Sequence, residues 1–206
     1  MSTTTTTTAT PFVPEYLEYA GFRMFTVAEY HQMIKAGILT DGEPFELLEG
    51  YMVKKMSHGL PHDSGMDILE GLLPALLPSE WFVRCQRAIT LTDSEPEPDY
   101  AIVRGPRNRY RSCHPTPLEI AILIEISDSS LRIDRTAKAR IYARAGILVY
   151  WVVNVPDKII EVYTQPSGPS EMPAYAHRDD YPVGSAVPVV IDAVAVGTIP
   201  VADIFE

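Results

Sequence analysis

The 206-residue chain has little cysteine: Cys85 and Cys113 are the only two. Two isolated cysteines exclude a disulfide framework and a zinc cluster with paired Cys ligands, so reduced thiols are expected. Long apolar runs are missing too. No stretch approaches the roughly 20 apolar residues of a membrane span, which argues against a membrane partner. The Thr-rich start, Met1 to Thr10, lacks the basic end and apolar centre of a signal peptide, and a cytoplasmic location is expected. That tract has no apolar face to offset its ordering entropy, so residues 1–20 are expected to be a disordered tail and residues 21–206 a single domain. Familiar motifs are also absent. There is no Gly-x-x-x-x-Gly-Lys loop, no Gly-x-Ser-x-Gly elbow and no His-Glu-x-x-His pair, which removes three common chemistries.

Positive charge is scarce. The formal net charge of −10 is wrong for a generic nucleic-acid binder, which needs cations to meet phosphate. The average hides an asymmetry: between Arg104 and Arg144, nine Lys/Arg face four acids, while the rest of the chain has eight against 23. An anionic substrate would find its charge in that window.

Thr26-Val-Ala-Glu29 reads as a capping box opening a helix from Val27 to Ala36, stopped by Gly37. Phe45 to Lys54 suggests two extended segments joined at Glu49-Gly50. From His62, Ile68, Leu69, Leu72, Leu73, Leu76 and Leu77 recur at helical spacing, with Pro74 expected to bend or end the helix early. Trp81–Cys85 and Arg87–Leu91 look like strands, and a Pro-broken turn leads into Tyr100–Val103. Ile120-Ala-Ile-Leu-Ile-Glu-Ile126 has the near-continuous apolar character of a buried central strand. A helix from Asp134 to Ala145 follows, then strands at Leu148–Val153 and Ile159–Tyr163, a loose stretch from Gln165 to Asp180, and β segments near Val187–Ile191 and Val194–Val201. Alternating helices and strands of this kind predict a mixed α/β layer fold.

Glu125 is the most informative residue. A carboxylate inside an apolar strand is costly unless a cation, a metal or several hydrogen bonds compensate it. Strand periodicity puts it on the face of Leu123 and Ser127, opposite Ile124 and Ile126. Asp99 begins another apolar strand, and pairing of the two strands would bring both carboxylates to one sheet edge. Two convergent oxygens suit a hard divalent cation such as Mg²⁺.

Pro98-Asp99, then Glu125, then Asp134 and Lys138 on the following helix, resembles the Uma-two family of restriction endonucleases. Phe25-Thr-Val-Ala-Glu-Tyr30, Phe45-Glu-Leu-Leu-Glu-Gly50, Ser94-Glu-Pro-Glu-Pro-Asp99, Ile124-Glu-Ile-Ser127 and Tyr142-Ala-Arg-Ala-Gly146 carry the resemblance across most of the chain. It implies an α/β, restriction-endonuclease-like core of the PD-(D/E)xK superfamily, a central mixed β-sheet flanked by helices. It further implies Mg²⁺-dependent hydrolysis of DNA phosphodiesters, with Mn²⁺ as a substitute and a homodimer that lets two sites meet two strands. Asp99 and Glu125 would hold the metal, and Lys138 would orient water or stabilise developing charge. The parent pattern has its lysine two residues after the second acid, where this chain has Ser127. The resemblance therefore implies that the lysine role has moved to Lys138. Glu46, or alternatively Glu49, would add a further acid. His62 resembles a family histidine, with local hydrogen bonding as its simpler role, and Tyr142 is read as packing. The alternative function is a catalytically weak nuclease-fold protein that binds nucleic acid or a protein partner.

Overall fold

Thr26 starts the first helix through both halves of a capping box: its hydroxyl accepts from the Glu29 N–H, and Glu29 accepts from the Thr26 N–H. The computed structural model describes residues 21–40 and 43–206, so the expected Thr-rich tail lies outside the described residues. Helix α1 (Val27–Lys35) ends before Gly37, which takes a positive φ of 71°.

Strands β1 (Phe45–Leu48) and β2 (Tyr51–Lys54) pair antiparallel around Glu49-Gly50, the turn expected there. Both turn residues have positive φ, 52° and 81°. A two-residue hairpin with that geometry matches the twist of its strands. Glutamate is an unusual occupant of the first position. Its carboxylate is held by Arg140 and Arg144, and its N–H by the Ser94 hydroxyl at 2.8 Å.

Helix α2 (Leu60–Leu76) begins just after Gly59 and buries His62, Gly65, Leu69 and Leu73. Pro74 does not end it early: it sits within the last turn, and the helix runs only two residues beyond it. The main sheet then assembles from β3 (Trp81–Cys85), β4 (Tyr100–Arg104), β5 (Ile120–Ser127), β6 (Val149–Asn154), β7 (Ile159–Pro166) and β8 (Tyr175–Pro182), in that spatial order. All neighbours are antiparallel except β5 and β6. The parallel pair needs a crossover, supplied by α3 (Leu131–Ile133), a π-helical turn (Asp134–Lys138) and α4 (Ala139–Ala145). Strand β5 is buried along its whole length, as a near-continuous apolar run requires.

Alternation along β5 divides the core. Ile122, Ile124 and Ile126 face α2, the hairpin of β9 (Ala186–Ile191) and β10 (Val194–Pro200), and the short helix α5 (Ala202–Phe205). Leu123 faces the other side with Tyr142 and Tyr150. The expectation of a central mixed sheet flanked by helices therefore holds. No helix among the described residues is long and apolar enough to cross a membrane.

Two local expectations fail. Arg87–Leu91 is extended but is no strand, because its amides bond to loop carbonyls of Pro96, Pro115 and Ser94. The stretch read as loose, Gln165 to Asp180, contains most of β8, an edge strand whose exposed polar side chains give no apolar alternation to detect.

Candidate active site

The β4–β5 register sets the site. Tyr100 pairs with Ile124, which brings Asp99, just before β4, alongside Glu125. Asp99 is fastened there by two bonds to one oxygen: the Ile126 N–H lies 2.8 Å from Oδ2, and His62 Nε2 lies 3.1 Å from it. Burial raises the Asp99 pKa, but His62, the Ile126 amide and Lys138 outweigh it and hold the carboxyl below its ordinary range. The reciprocal holds for His62: burial opposes its charge, and Asp99 nevertheless raises its pKa.

Glu125 points to the opposite side of β5 from Ile124 and Ile126, as periodicity predicts. Its Oε1 accepts from Lys138 Nζ at 3.0 Å and from the Tyr142 hydroxyl at 2.7 Å. Lys138 and Tyr142 are four residues apart on the crossover, so one helical face delivers both donors. The π turn contributes here, since the Ala139 N–H reaches back to the Asp134 carbonyl, and both Asp134 and Lys138 are buried. Lys138 Nζ also lies 3.8 Å from Glu46 Oε1 and 3.8 Å from Asp134 Oδ1. Burial works against the ammonium, but Glu125, Glu46 and Asp134 together raise its pKa and keep it protonated. Burial also pushes the Glu125 carboxyl well above its usual range, with Asp134, Asp99 and Glu46 adding to the push and Lys138 opposing it.

Three of the residues around this pair were not assigned this way from sequence. Tyr142, read as packing, is a buried hydrogen-bond donor to Glu125. Asp134 accepts from the Ser127 hydroxyl at 2.7 Å through Oδ2, while its buried Oδ1 has no hydrogen-bond partner. Ser127 thus stands where the parent pattern has lysine and donates to the acid that lies 3.8 Å from Lys138. His58 was unassigned. Its i,i+4 spacing to His62 across Gly59-Leu60-Pro61 was the available signal, and the two rings stack with centroids 3.9 Å apart.

Glu46 and Glu49 separate, one on β1 and the other in the turn that follows it. Glu46 faces the cleft and accepts from the Glu97 N–H at 3.2 Å, whereas Glu49 is engaged by Arg140 and Arg144. The segment before Asp99 is laid against β1 by the Glu95 N–H bonding to the Leu47 carbonyl at 2.7 Å, so the hairpin and the Pro-rich approach position each other.

The cleft is lined by the carboxylates of Glu46, Glu97, Asp99, Glu125, Asp128 and Asp134 against the ammonium groups of Lys54, Lys55 and Lys138. Six acids against three lysines make a site short of positive charge. The basic window does not make up the deficit. Of its nine cations, Arg104, Arg109, Arg135, Lys138, Arg140 and Arg144 are paired with carboxylates, Arg107 and Arg111 follow the far end of β4 from Asp99, and Arg132 is exposed on α3.

The residues present fit a divalent cation by their donor set. Glu125 Oε1 and Asp99 Oδ2 carry the protein hydrogen bonds, while Glu125 Oε2 and Asp99 Oδ1 have no donor among the described residues. Two open carboxylate oxygens in a cleft with excess negative charge are suited to a hard cation that retains waters.

Comparison with known proteins agrees with this architecture. The family model Uma2, described as "Putative restriction endonuclease", matches residues 27–195. The chain is also similar to a solved structure from Anabaena variabilis described as "a putative nuclease belonging to DUF820", with 15% sequence identity. The match covers 88% of this chain and 97% of that one, with a TM-score of 0.59, and shows a shared fold. No curated protein matches the chain. The family match takes in β1 through β9, including Glu46, Asp99, Glu125 and Lys138, and the chain belongs to the Uma2 family.

Proposed function

We propose that this chain is a metal-dependent endonuclease that hydrolyses phosphodiester bonds of DNA. The observation that carries the reading is the meeting of Asp99, Glu125 and Lys138 in one acidic cleft at the β4–β5 strand ends. Family membership supports it. Asp99 and Glu125 are the candidate ligands for Mg²⁺, or Mn²⁺ in its place, with Glu46 as a further acid at 3.8 Å from Lys138. When bound, such an ion supplies Lewis acidity toward the phosphate and a more acidic water.

The chain's own residues do the rest. His62 and the Ile126 amide fix the orientation of Asp99, and Tyr142 fixes that of Glu125. Lys138 carries a proton at Nζ beside Glu125, and from there it would hydrogen-bond a phosphoryl oxygen that gains negative charge or the attacking water. The excess of acids would repel a bare phosphate, which is why a cation belongs to the reading.

A second reading is a catalytically weak nuclease-fold protein that binds nucleic acid or a protein partner. The neutralisation of most of the basic window favours it, because few cations remain to follow a DNA backbone. Plasmid and single-stranded DNA incubated with purified protein and Mg²⁺ or Mn²⁺ separate the two. Under the nuclease reading, Lys138→Ala lowers cleavage by about 10²–10³-fold, the loss typical for one electrostatic donor. Cleavage that survives the substitution would reject Lys138 as a participant, and absence of cleavage in the unsubstituted protein would favour the second reading. Sizing of the protein with and without DNA tests the proposed homodimer.

A further inference from the structure

His62 is buried, with its Nε2 3.1 Å from Asp99 Oδ2, and its Nδ1 has no hydrogen-bond partner. The closest acid to Nδ1, Asp63 Oδ1, is 3.6 Å away, too far for a hydrogen bond. A neutral ring that keeps its proton on Nδ1 presents the Nε2 lone pair toward Asp99, the orientation a metal ligand needs. The exposed ring of His58 is stacked on it. One donor atom each from His58, His62 and Asp99 lie within 4.8 Å of one another, the only group of three or more His, Cys, Asp or Glu so placed among the described residues.

We infer that His58, His62 and Asp99 bind a borderline first-row transition-metal ion such as Zn²⁺ at the mouth of the cleft. The 3.1 Å between His62 Nε2 and Asp99 Oδ2 matches the separation of two adjacent ligands on one ion, since bonds of about 2.0–2.1 Å at octahedral to tetrahedral angles span about 2.8–3.4 Å. Two imidazoles change the preference of the site. Carboxylates and water suit Mg²⁺, whereas imidazole draws borderline ions such as Zn²⁺ ahead of it. The surrounding surplus of carboxylates favours any divalent cation, and the histidines select among them. His58 precedes α2 and His62 lies in its first turn, so the helix start fixes the spacing of both rings.

The inference shares Asp99 with the nuclease reading and rests on that reading's placement of a cation at this carboxylate. It does not rest on the substrate or on cleavage. The test is calorimetric titration of EDTA-stripped, full-length protein with Zn²⁺ and, separately, Mg²⁺, together with Co²⁺ absorption spectra to report nitrogen coordination. Zn²⁺ should bind at one ion per chain and more tightly than Mg²⁺. His58→Ala, a change at an exposed side chain, should weaken Zn²⁺ by at least the roughly 10–100-fold that loss of a metal's outer partner costs, and should leave Mg²⁺ affinity unchanged. His62→Gln should weaken Zn²⁺ likewise, with circular dichroism verifying the fold. Zn²⁺ affinity unchanged in His58→Ala would overturn the inference, even if Mg²⁺-dependent cleavage is found. Conversely, a His58-dependent Zn²⁺ site in a protein that cleaves no DNA would uphold the inference and remove the nuclease reading.

Discussion

Replacing Lys138 by methionine tests how the cleft balances its charge. Methionine keeps most of the length and apolar stem of lysine but removes the ammonium that lies 3.0 Å from Glu125 and 3.8 Å from both Glu46 and Asp134. At an effective dielectric of about 20, the 3.0 Å pair alone is worth roughly 5 kcal/mol of Coulomb energy before desolvation is counted. Recovery of the ammonium's hydration cost offsets part of that, and removing one partner of a buried pair leaves a net loss of about 3–5 kcal/mol. The loss depends on pH in a defined direction. Without Lys138 the Glu125 carboxyl, already pushed up by burial, rises further, so above the unfolded carboxyl pKa the folded state holds this proton more readily than the unfolded chain does. Stability of the variant therefore falls as pH rises, by up to about 1.4 kcal/mol per unit while that proton is held. Urea unfolding followed by circular dichroism in EDTA, at about pH 6 and about pH 8, should show the larger deficit at the higher pH. A divalent cation should recover part of it by replacing the missing charge. A deficit under about 1 kcal/mol at both pH values, or one that grows on acidification, would refute the charge-balance argument.

Two further outcomes follow from other parts of the fold. Gly50→Ala should cost at least about 2 kcal/mol, because an L side chain at φ 81° is strained and its Cβ would lie 2.7 Å from Met24 Cβ and 3.1 Å from the Phe25 carbonyl oxygen; thermal unfolding reads it. Glu161 is fully buried, and although burial raises its pKa, Arg135, Tyr163, Asn154 and Arg178 hold it below the ordinary range. Its contribution is present above the unfolded carboxyl pKa and is lost as pH falls through the lowered folded value, so Glu161→Gln should cost about 2 kcal/mol at neutral pH and progressively less under acid. Denaturant midpoints across that range check the sign.

The elements whose signals are local were legible in the sequence. A threonine followed three residues later by glutamate satisfies helix-start amides regardless of the rest of the chain, so α1 could be placed from Thr26 and Glu29 alone. The Glu49-Gly50 turn and the buried strand β5 were equally legible, one from its turn position and one from its unbroken apolar character. Glu125 drew attention for the same reason: a charge in that run must be compensated by something.

What compensates it was decided by tertiary structure. Tyr142 read as packing because an aromatic on a helix is usually core, and only the crossover between β5 and β6 turns its hydroxyl onto Glu125. The basic window read as a surface for an anion, yet folding brings Glu49, Asp93, Glu119, Glu161 and Asp192 to its arginines, through pairings as much as 95 residues apart in the chain. His58 carries no meaning until α2 docks beside Asp99. Strand β8 escaped notice because an edge strand needs no apolar alternation to complete a sheet. Local hydrogen-bond and burial rules let the sequence by itself determine which segments form and which residue must be compensated. The identity of each compensating partner depends on distances between segments remote in the chain, and only the packed sheet and its crossover helix set those.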